Sequence, residues 1–467
     1  MSLRRLSLPY VEDPASRLEP LKELPWFVFL DSCAARATGG RFDLIAADPV
    51  ATVETRGAVT SVTAAGRAVV SDEDPFTVLA QALCQHLPPT GDHALFDGGA
   101  IGYFAYDLAR RIEPLPARAA RDIDLPDMAV GLYGWAIVVD HEARSAELVI
   151  HPAASCDVEF VTHAWGRHPA LTPPAFASSF EVISRVRPEL DFDQYARSWH
   201  RIKQYLREGD AYQVNLTQRF SASVRGDAWD AYQWLRLLNP APFSAYLDLP
   251  DGQVLSSSPE RFLRVRDGVV ETRPIKGTRP RGADATEDAR LRRELEESLK
   301  DRAENVMIVD LLRNDLGKRA LTGSVEVPAL FAVESYTKVH HLVSTVRARV
   351  AEGTSPLTVL RDCFPGGSIT GAPKLRAMEI IEELEPQRRS VYCGAIGYVS
   401  ASGRMDTNIA IRTLVCHRGR MYCWAGGGIV MDSGLDAEYA ESLAKASAML
   451  DVFANAEREG VDHQDRR

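Results

Sequence analysis

Two side chains in the middle of the sequence could act together as an acid and a nucleophile. Glu260 ends a short strand-like run that begins at Val254, and Lys276 follows in the loop 273–282. This loop holds three arginines, one lysine, two prolines and two glycines, so its backbone is expected to be rigid and unusual. Basic loops more often face solvent, but a hairpin between the two segments would bring Glu260 and Lys276 together.

Three further carboxylates could bind a hard cation. Glu304 lies where a charged helical stretch gives way to an apolar one, and Glu438 and Glu441 share one helix face because they are three residues apart. Paired carboxylates on a helix usually face water. The alternative is that they bind Mg²⁺, which needs few protein oxygens and keeps its other positions for water and substrate.

Two glycine-rich runs could offer backbone amides to an anion. The run 366–374 precedes a helix but lacks the Gly-Lys-Ser/Thr of a P-loop, so a carboxylate-binding helix start and a simple turn are equal alternatives. The run 426–428 could form an anion-binding nest or a β-bulge. His340 and His341 are adjacent in a strand-like run, so their side chains must face opposite sides.

The elements that position these residues are predicted to form an α/β chain with extensive antiparallel sheet. Helical periodicity predicts helices at 76–87, 193–207, 228–238, 289–317, 374–384 and 436–453. A stretch rich in Pro, Ala, Ser and Thr is expected to link an N-terminal region to a larger C-terminal region. The predicted boundaries are 1–151 for the N-terminal region, 152–180 for the linker, 181–455 for the C-terminal region and 456–467 for a frayed tail.

Composition and charge exclude several classes of function. The chain has 467 residues and a formal net charge of −10, which argues against a nucleic-acid-binding protein with a basic face. The first apolar run, 26–30, is too short for a signal segment or a membrane span. Seven scattered cysteines without a CxxC spacing are typical of reduced thiols. We therefore expect a soluble cytoplasmic protein.

Taken in order, these motifs resemble a known enzyme family. They are Ser-Ser-Pro-Glu (257–260), Pro-Ile-Lys-Gly-Thr-Arg-Pro-Arg-Gly (274–282), Arg-Ala-Glu-Asn (302–305), Asp-Leu-Leu-Arg-Asn-Asp-Leu-Gly (310–317), Gly-Ala-Pro-Lys (371–374), Arg-Thr (412–413) and the segment 427–441. The pattern resembles the chorismate-utilising enzymes, which include the anthranilate, aminodeoxychorismate, isochorismate and salicylate synthases. The resemblance covers nearly the whole chain, including the N-terminal segment 96–107. It implies the family's chorismate-binding fold, with large, mostly antiparallel sheets flanked by helices.

Position 276 separates the branches of this family. Anthranilate synthases resemble this loop but typically carry alanine there, whereas a lysine is typical of the aminodeoxychorismate synthases. Isochorismate and salicylate synthases place a base lysine in the strand that corresponds to 212–214, where this chain has Gln213. The resemblance therefore favours ammonia over water as the final nucleophile, and predicts 4-amino-4-deoxychorismate, a precursor of p-aminobenzoate and folate, as the product.

The resemblance also implies a mechanism. Lys276, as a neutral amine, would attack C2 of chorismate while Glu260 acts as the general acid for the C4 hydroxyl, and ammonia would then displace the lysine. A free lysine has a pKa near ~10.4, so burial and nearby positive charge must lower it. Arg273, Arg279 and bound Mg²⁺ are plausible sources of that charge.

The remaining site residues are carried over from the family motifs. The implied substrate-binding set is Thr278, His341 (rather than His340), Tyr392, Arg412, Gly427, Gly428 and Lys445. The implied Mg²⁺ ligands are Glu304 and Glu441, with Glu438 nearby, whereas Asp301 is left out of the set. A site for tryptophan, as regulator or structural ligand, is predicted at Ser32, Arg41 and Phe42, although strand packing explains these residues equally well.

The source of ammonia is expected to be a second protein. Class I glutaminases carry a nucleophilic cysteine in a Gly-x-Cys-x-Gly context, and none of the seven cysteines has this context. We therefore expect a separate glutamine amidotransferase subunit as the partner. Two other functions remain open: the chorismate-binding component of an anthranilate synthase, and a tryptophan-binding regulatory subunit without activity.

Overall fold

Two large antiparallel sheets, flanked by helices, make up the architecture of the protein. The computed structural model describes residues 2–34, 40–92, 94–167, 179–336 and 339–464. One sheet contains thirteen strands and the other twelve. The predicted α+β fold with extensive antiparallel sheet is confirmed.

The strands of the first half are β1 (Arg4–Leu8), β2 (Val28–Asp31), β3 (Phe42–Ala46), β4 (Ala51–Arg56), β5 (Val59–Ala64), β6 (Arg67–Ser71), β7 (Gly99–Phe104), β8 (Met128–Tyr133), β9 (Trp135–Asp140), β10 (Ser145–Ile150), β11 (Glu181–Val182), β12 (Arg187–Pro188) and β13 (Gln213–Arg225). Those of the second half are β14 (Phe243–Leu249), β15 (Gly252–Ser258), β16 (Arg261–Arg266), β17 (Val269–Thr272), β18 (Ile275–Pro280), β19 (Glu326–Ser335), β20 (Val339–Arg349), β21 (Gly371–Ala372), β22 (Ala395–Ser400), β23 (Met405–Ile409), β24 (Thr413–His417) and β25 (Arg420–Ile429). The α-helices are α1 (Pro75–His86), α2 (Val158–Gly166), α3 (Phe192–Glu208), α4 (Ala228–Leu238), α5 (Ala285–Glu297), α6 (Leu299–Gly317), α7 (Pro356–Cys363), α8 (Lys374–Leu384) and α9 (Leu435–Gln464). Short 3-10 helices lie at Pro14–Arg17, Tyr106–Arg111 and Gly367–Ile369.

The N-terminal and C-terminal regions contribute strands to both sheets. The first sheet has the order β1-β10-β9-β3-β2-β14-β15-β24-β25-β13-β11, with β12 and β21 also paired to β13. The second has the order β18-β20-β17-β16-β23-β22-β7-β8-β4-β5-β6, with β19 paired to β20. Because β2 pairs with β14, and β7 pairs with β22, the region 1–151 is continuous in both sheets with the region 181–455.

The expected linker is partly an ordered helix. Residues 152–180 include α2, whose Trp165 is fully buried and donates a hydrogen bond from its indole nitrogen to the carbonyl of Pro9 at 2.8 Å. Burial of an aromatic side chain against β1 gives this segment a packing role that its composition does not reveal. The part of the predicted linker from 168 to 178 lies outside the described residues.

Local signals explain where the helices begin and end. Asp191 and Gln194 form a capping box at the start of α3, and Gly209 ends this helix in the left-handed conformation with φ of 81°. The single helical segment expected at 289–317 is two helices, because Ser298 ends α5 and its hydroxyl caps α6 by accepting a hydrogen bond from the amide of Asp301. The last helix continues to Gln464, although a frayed tail was expected from residue 456; residues 465–467 lie outside the described part.

All seven cysteines are unpaired, as their spacing predicts. Within the described ranges, no helix is both long enough and apolar enough to cross a membrane.

Candidate active site

A bulge in an edge strand turns Lys276 towards the interior. Ile275 pairs with Val343 and Thr278 with His341, so β18 has one more residue than β20 between these two pairs. Such an extra residue re-aims side chains and is common beside functional sites. Gly277 occupies the bulge with φ of 83°, and a β-carbon there would lie 2.9 Å from the carboxyl carbon of Asp301. Glycine is therefore required next to the lysine.

Glu260 lies where the chain crosses from one sheet to the other. Strand β15 of the first sheet ends at Ser258, and β16 of the second begins at Arg261. The backbone carbonyl of Glu260 accepts a hydrogen bond from the amide of Ile409 at 3.0 Å, and its own amide donates to the hydroxyl of Ser258 at 3.3 Å. The backbone on both sides of this buried carboxyl group is thus held in place.

Ser368 connects the two side chains, and the sequence analysis did not select it. Its hydroxyl donates a hydrogen bond to Oε1 of Glu260 at 2.8 Å, and its carbonyl accepts one from Nζ of Lys276 at 3.3 Å. Nδ2 of Asn215 donates to the same carbonyl at 3.3 Å. The only sequence signal was the glycine-rich run 366–374, interpreted there through its amides rather than through a hydroxyl.

The surroundings of the two groups favour their neutral forms. Burial lowers the pKa of Lys276, and the nearby carboxylate of Glu304 opposes this only in part. Burial raises the pKa of Glu260, opposed by the hydrogen bond from Ser368 and by the charge of Lys276. A neutral amine is the nucleophilic form of lysine, and a protonated carboxyl group is the acidic form of glutamate.

The positive charge near Lys276 differs from the expectation. Arg273 pairs with Glu334, and Arg279 pairs with Glu294 at 2.9 Å and with Asp301 at 3.2 Å. The cation that lowers the pKa of Lys276 is Lys445, so the two loop arginines hold the loop rather than tune the amine. Asp301 thus pairs with Arg279, and its omission from the metal ligands stays a prediction.

The adjacent histidines face opposite sides, and His341 is the one near the site. Nδ1 of His341 lies 2.9 Å from Oγ1 of Thr278, and burial together with the charge of Arg412 lowers the His341 pKa to about 4. His340 is fully buried on the other face, with Nε2 3.0 Å from Oδ1 of Asp288 on α5. His341 is therefore a neutral ring at the site, and His340 is structural.

Arg412 has no carboxylate partner in the part of the chain that the structure describes. Within the described ranges no acidic side chain pairs with its guanidinium group, and burial lowers its pKa. Tyr392 lies close to it, and its buried ring stacks on Trp424 with 5.8 Å between ring centroids and 7° between planes. Arg412 is half-buried, and partial burial of an arginine without an anion is costly, so the geometry is suited to an anionic ligand.

The glycine run of β25 forms a regular strand between these groups. Gly427 and Gly428 pair with Leu216 and Asn215 of β13, whereas the pairing of β25 with β24 stops at Cys423. Within the described ranges, the edge of these glycines away from β13 has no strand partner. Successive amides of a strand point to opposite edges, so the amide of Gly428 faces this open edge and that of Gly427 faces Leu216. On the other side, a β-carbon at Gly428 would lie 2.7 Å from the amide group of Gln213, so the strand requires glycine here.

Two of the predicted metal ligands, Glu438 and Glu441, lie with Lys445 around Gly427. A β-carbon at Gly427 would lie 3.0 Å from Oε2 of Glu438, 3.7 Å from Oε1 of Glu441 and 3.8 Å from Nζ of Lys445. Lys445 pairs with Glu441 at 2.7 Å. Burial acts to raise the pKa of Glu441, but Lys445 lowers it overall.

Glu304 and Glu438 approach each other from α6 and α9. Nζ of Lys300 lies 3.9 Å from a carboxylate oxygen of each, and burial raises the pKa of both. Carboxylate crowding of this kind suits a divalent cation with oxygen ligands. The described residues contain no preformed group of three or more metal-binding side chains, and the Mg²⁺ site stays a prediction.

The residues predicted to bind tryptophan lie away from Lys276, at a cavity of about 370 Å³ between the two sheets. Ser32, Arg41 and Phe42 line it, with Arg261 and Asp406 on the opposite wall. Ser32 donates from its hydroxyl to Oδ1 of Asp43 at 2.7 Å, and the Arg41 guanidinium lies 4.6 Å from the centre of the Phe42 ring. The three residues are thus brought together, as the family resemblance implies.

Comparison with known proteins gives this site its family. A family model described as chorismate binding enzyme matches residues 27–451. The chain belongs to the chorismate-binding enzymes. The aminodeoxychorismate synthase component 1 of Klebsiella aerogenes is 49% identical over 453 residues, which cover 96% of this chain and 99% of that protein. The family resemblance inferred from the motifs is confirmed.

Relatives named for another activity are less similar to this chorismate-binding enzyme. The anthranilate synthase component 1 of Streptomyces coelicolor is 40% identical over 399 residues, which cover 82% of this chain and 78% of that protein. The crystal structure of anthranilate synthase component I from Streptococcus pneumoniae superposes with a TM-score of 0.77 at 34% identity, and covers 88% of this chain and 92% of that one. The fold is therefore shared across these activities.

Proposed function

We propose that this chain is the chorismate-converting component of an aminodeoxychorismate synthase, which makes 4-amino-4-deoxychorismate through a covalent bond to Lys276. The observation that carries the proposal is the pairing of Lys276 and Glu260 through Ser368, with both groups in surroundings that favour their neutral forms. The higher identity to a relative named aminodeoxychorismate synthase component 1 than to one named anthranilate synthase supports it.

In the first step the amine of Lys276 attacks C2 of the chorismate ring. The two ring double bonds shift towards C4, the C4–oxygen bond breaks, and the proton of Glu260 goes to the departing hydroxyl group, which leaves as water. The ring is then bonded to Lys276 at C2. Burial lowers the pKa of Lys276 and raises that of Glu260, so both groups are shifted towards their reactive forms before substrate binds.

In the second step ammonia attacks C4 and the double bonds shift back. The C2–nitrogen bond breaks, Lys276 leaves as an amine, and the carboxylate of Glu260 takes up the proton that ammonia loses. The enolpyruvyl group stays on the ring, so the product is an amino-deoxy compound and no pyruvate is released. In the balance of both steps, the C4 hydroxyl is exchanged for an amino group.

The anionic groups of chorismate would be held by hydrogen-bond donors of the site. Arg412, Tyr392 and the free edge of Gly427 and Gly428 would bind the enolpyruvyl carboxylate, and Thr278 and His341 would lie against the ring. Glu304 and Glu441, with Glu438 nearby, would hold Mg²⁺, and the bound ion would neutralise and orient the ring carboxylate. Lys445 would balance the carboxylates around Gly427.

Ammonia would come from a separate glutamine amidotransferase subunit, because no cysteine of this chain has the glutaminase context. Seven unpaired cysteines support work in a reducing compartment such as the cytoplasm. We expect the isolated chain to use ammonium salts but not glutamine. Glutamine-dependent turnover by this chain alone would contradict a separate subunit.

Tryptophan would bind the cavity lined by Ser32, Arg41 and Phe42. The cavity size and its mixture of an aromatic wall and charged groups support an amino acid ligand. Titration calorimetry with tryptophan should show heat that is lost in an Arg41→Ala variant, and unchanged heat in that variant would place the ligand elsewhere.

Product analysis tests the proposed activity. The purified chain would be incubated with chorismate, Mg²⁺ and ammonium at mildly alkaline pH. The products would be separated by chromatography and identified by mass spectrometry. An amino-deoxy product that retains the enolpyruvyl group supports the proposal. Anthranilate with pyruvate would instead support the activity named for the Streptomyces relative, and no consumption of chorismate with bound tryptophan would support a regulatory subunit.

A further inference from the structure

The position of Ser368 indicates more than a packing role. It lies in the 3-10 helix Gly367–Ile369, is 7% exposed, and its hydroxyl and carbonyl oxygens both form hydrogen bonds within the site. The hydroxyl bonds to Glu260 and the carbonyl to Lys276, so one residue touches both reacting groups. A shift of this short segment would therefore move the acid and the nucleophile together.

The buried ion pair of Arg389 and Glu385 holds the segment that contains Ser368 in place. Arg389 is 1% exposed and pairs with Glu385 through two hydrogen bonds of 2.7 and 2.8 Å. Its guanidinium group also donates to the carbonyl of Ile369 at 2.9 Å and to that of Asn215 at 3.2 Å. The residue after Ser368 and the strand beside it are thus fixed by the same cation.

We propose that Ser368 is a positioning residue that holds Glu260 and Lys276 in register and selects which carboxyl oxygen of Glu260 carries the proton. The role rests on the proposed function, which makes Glu260 the acid and Lys276 the nucleophile. Because the hydroxyl of Ser368 donates to Oε1, the proton of the neutral carboxyl group belongs on Oε2. Oε2 is then the oxygen that delivers the proton to the leaving hydroxyl group.

The hydroxyl of Ser368 can donate its hydrogen bond to Glu260 both before and after the carboxyl group loses its proton. After Glu260 has given up its proton, the same hydroxyl stabilises the carboxylate until the proton returns. The charged groups that face Glu260 are Lys276 from β18 and Lys445 from α9. Both lower the pKa of Glu260 against burial, together with the hydrogen bonds from Ser368 and from the backbone of Ile275. Loss of the hydroxyl removes one of these opposing effects and leaves the lysines in place.

The test compares Ser368→Ala and Ser368→Thr with the wild-type chain. A matched control is Ser256→Ala, which removes another buried hydroxyl, on β15, whose partner is Thr413 at 2.9 Å. For each protein we would measure kcat, KM for chorismate, the pH profile of kcat and the melting temperature, with ammonium as nitrogen source.

We expect kcat of Ser368→Ala to fall about tenfold to hundredfold, below the full contribution of a general acid of about 10²–10⁴. KM should change less than about twofold, since the hydroxyl makes no contact that binding requires. The alkaline limb of the profile should move to higher pH, because Glu260 stays protonated longer. Ser368→Thr should recover most of kcat, and Ser256→Ala should keep it.

Two results would overturn the role of Ser368. One is that Ser368→Ala forms the amino-deoxy product with the kcat of the wild type and with the alkaline limb of its pH profile unchanged. This result would leave the proposed function unaffected. The other is an equal loss in Ser368→Thr and Ser368→Ala that follows the melting temperature, which would make the residue merely structural. No product from any of the four proteins overturns the proposed function together with this inference.

Discussion

Lys276 and Glu260 are bonded to two different atoms of one residue. The amine of Lys276 donates to the carbonyl of Ser368 at 3.3 Å, and the carboxyl group of Glu260 accepts from the hydroxyl of the same residue at 2.8 Å. A strand bulge brings the lysine to this place, and a crossing between the two sheets brings the glutamate. The nucleophile therefore comes from an edge strand of the second sheet and the acid from the crossing between the two sheets, and both hydrogen-bond to the same residue.

Replacing Lys276 by alanine should change the product rather than only the rate. Without the amine no covalent adduct can form, so amino-deoxychorismate should fall below detection. Free ammonia could then attack C2 directly, and we expect a slow release of anthranilate. Mass analysis of products from Lys276→Ala and wild type checks this, and unchanged amino-deoxychorismate from the variant would rule out the covalent step.

Replacing Glu260 by glutamine should slow proton delivery with little effect on binding. The amide keeps the shape and can still accept from Ser368, but it cannot protonate the leaving hydroxyl group. We expect kcat to fall about 10²–10⁴-fold while KM stays nearly constant. Steady-state kinetics with saturating ammonium measure both, and a raised KM at unchanged kcat would assign Glu260 to binding instead.

Replacing Arg412 by lysine should weaken substrate binding although the charge remains. Lysine cannot make the bidentate contact of a guanidinium group, and a hydrogen bond to a charged group contributes about 1.5–3 kcal/mol. We expect KM for chorismate to rise about tenfold to hundredfold. Arg418→Lys, at an exposed side chain on the turn after β24, is the matched control, and equal KM values in both variants would exclude Arg412 from the site.

His341 should make the protein less stable as the pH falls. Its pKa in the folded state is about 4, below the ordinary value for a histidine, so the unfolded chain binds more protons between about pH 6.5 and 4. The free energy of unfolding should therefore fall as the pH is lowered through this window, and His341→Gln should fall less steeply. Denaturant unfolding at several pH values measures the slopes, and parallel slopes would contradict the lowered pKa.

Breaking the buried pair of Arg389 and Glu385 should destabilise the protein. Arg389→Met leaves a buried carboxylate unpaired, which costs about 3–5 kcal/mol. The double variant with Glu385→Leu should recover part of this loss, because no charge is then left without a partner. Arg290→Met, at the exposed pair with Glu294, should change the free energy of unfolding by less than about 1 kcal/mol. An equal loss in the single and double variants would contradict this view.

The sequence predicted the site residues whose chemical type and place in the motifs are distinctive. Glu260, Lys276 and the carboxylates of α6 and α9 were selected because their types and order match a motif set, and helices such as α4 followed their periodicity to the residue. Strand alternation also predicted that His340 and His341 face opposite sides, and the family motifs then selected His341. These features depend on local pattern alone.

The parts that were missed depend on long-range contacts. Ser368 is selected only when the bulge of β18 and the crossing at Glu260 are placed together, and neither can be read from composition. The break at Ser298 was missed because a charged helix continues into an apolar one without proline or glycine, and a single serine caps the second. Arg273 and Arg279 were expected to lower the pKa of Lys276. They instead pair with Glu334 and Glu294, which are distant in the sequence.

Trapping the covalent intermediate tests the central claim most directly. The chain would be mixed with chorismate and Mg²⁺ without ammonia, and the reaction would be quenched. The masses of the intact protein and of its peptides would then be measured by mass spectrometry. The account predicts an added mass of chorismate less one water, on the peptide that carries Lys276, and its loss when ammonium is added before the quench. Turnover to amino-deoxychorismate without such an adduct, or an adduct on another residue, would contradict it.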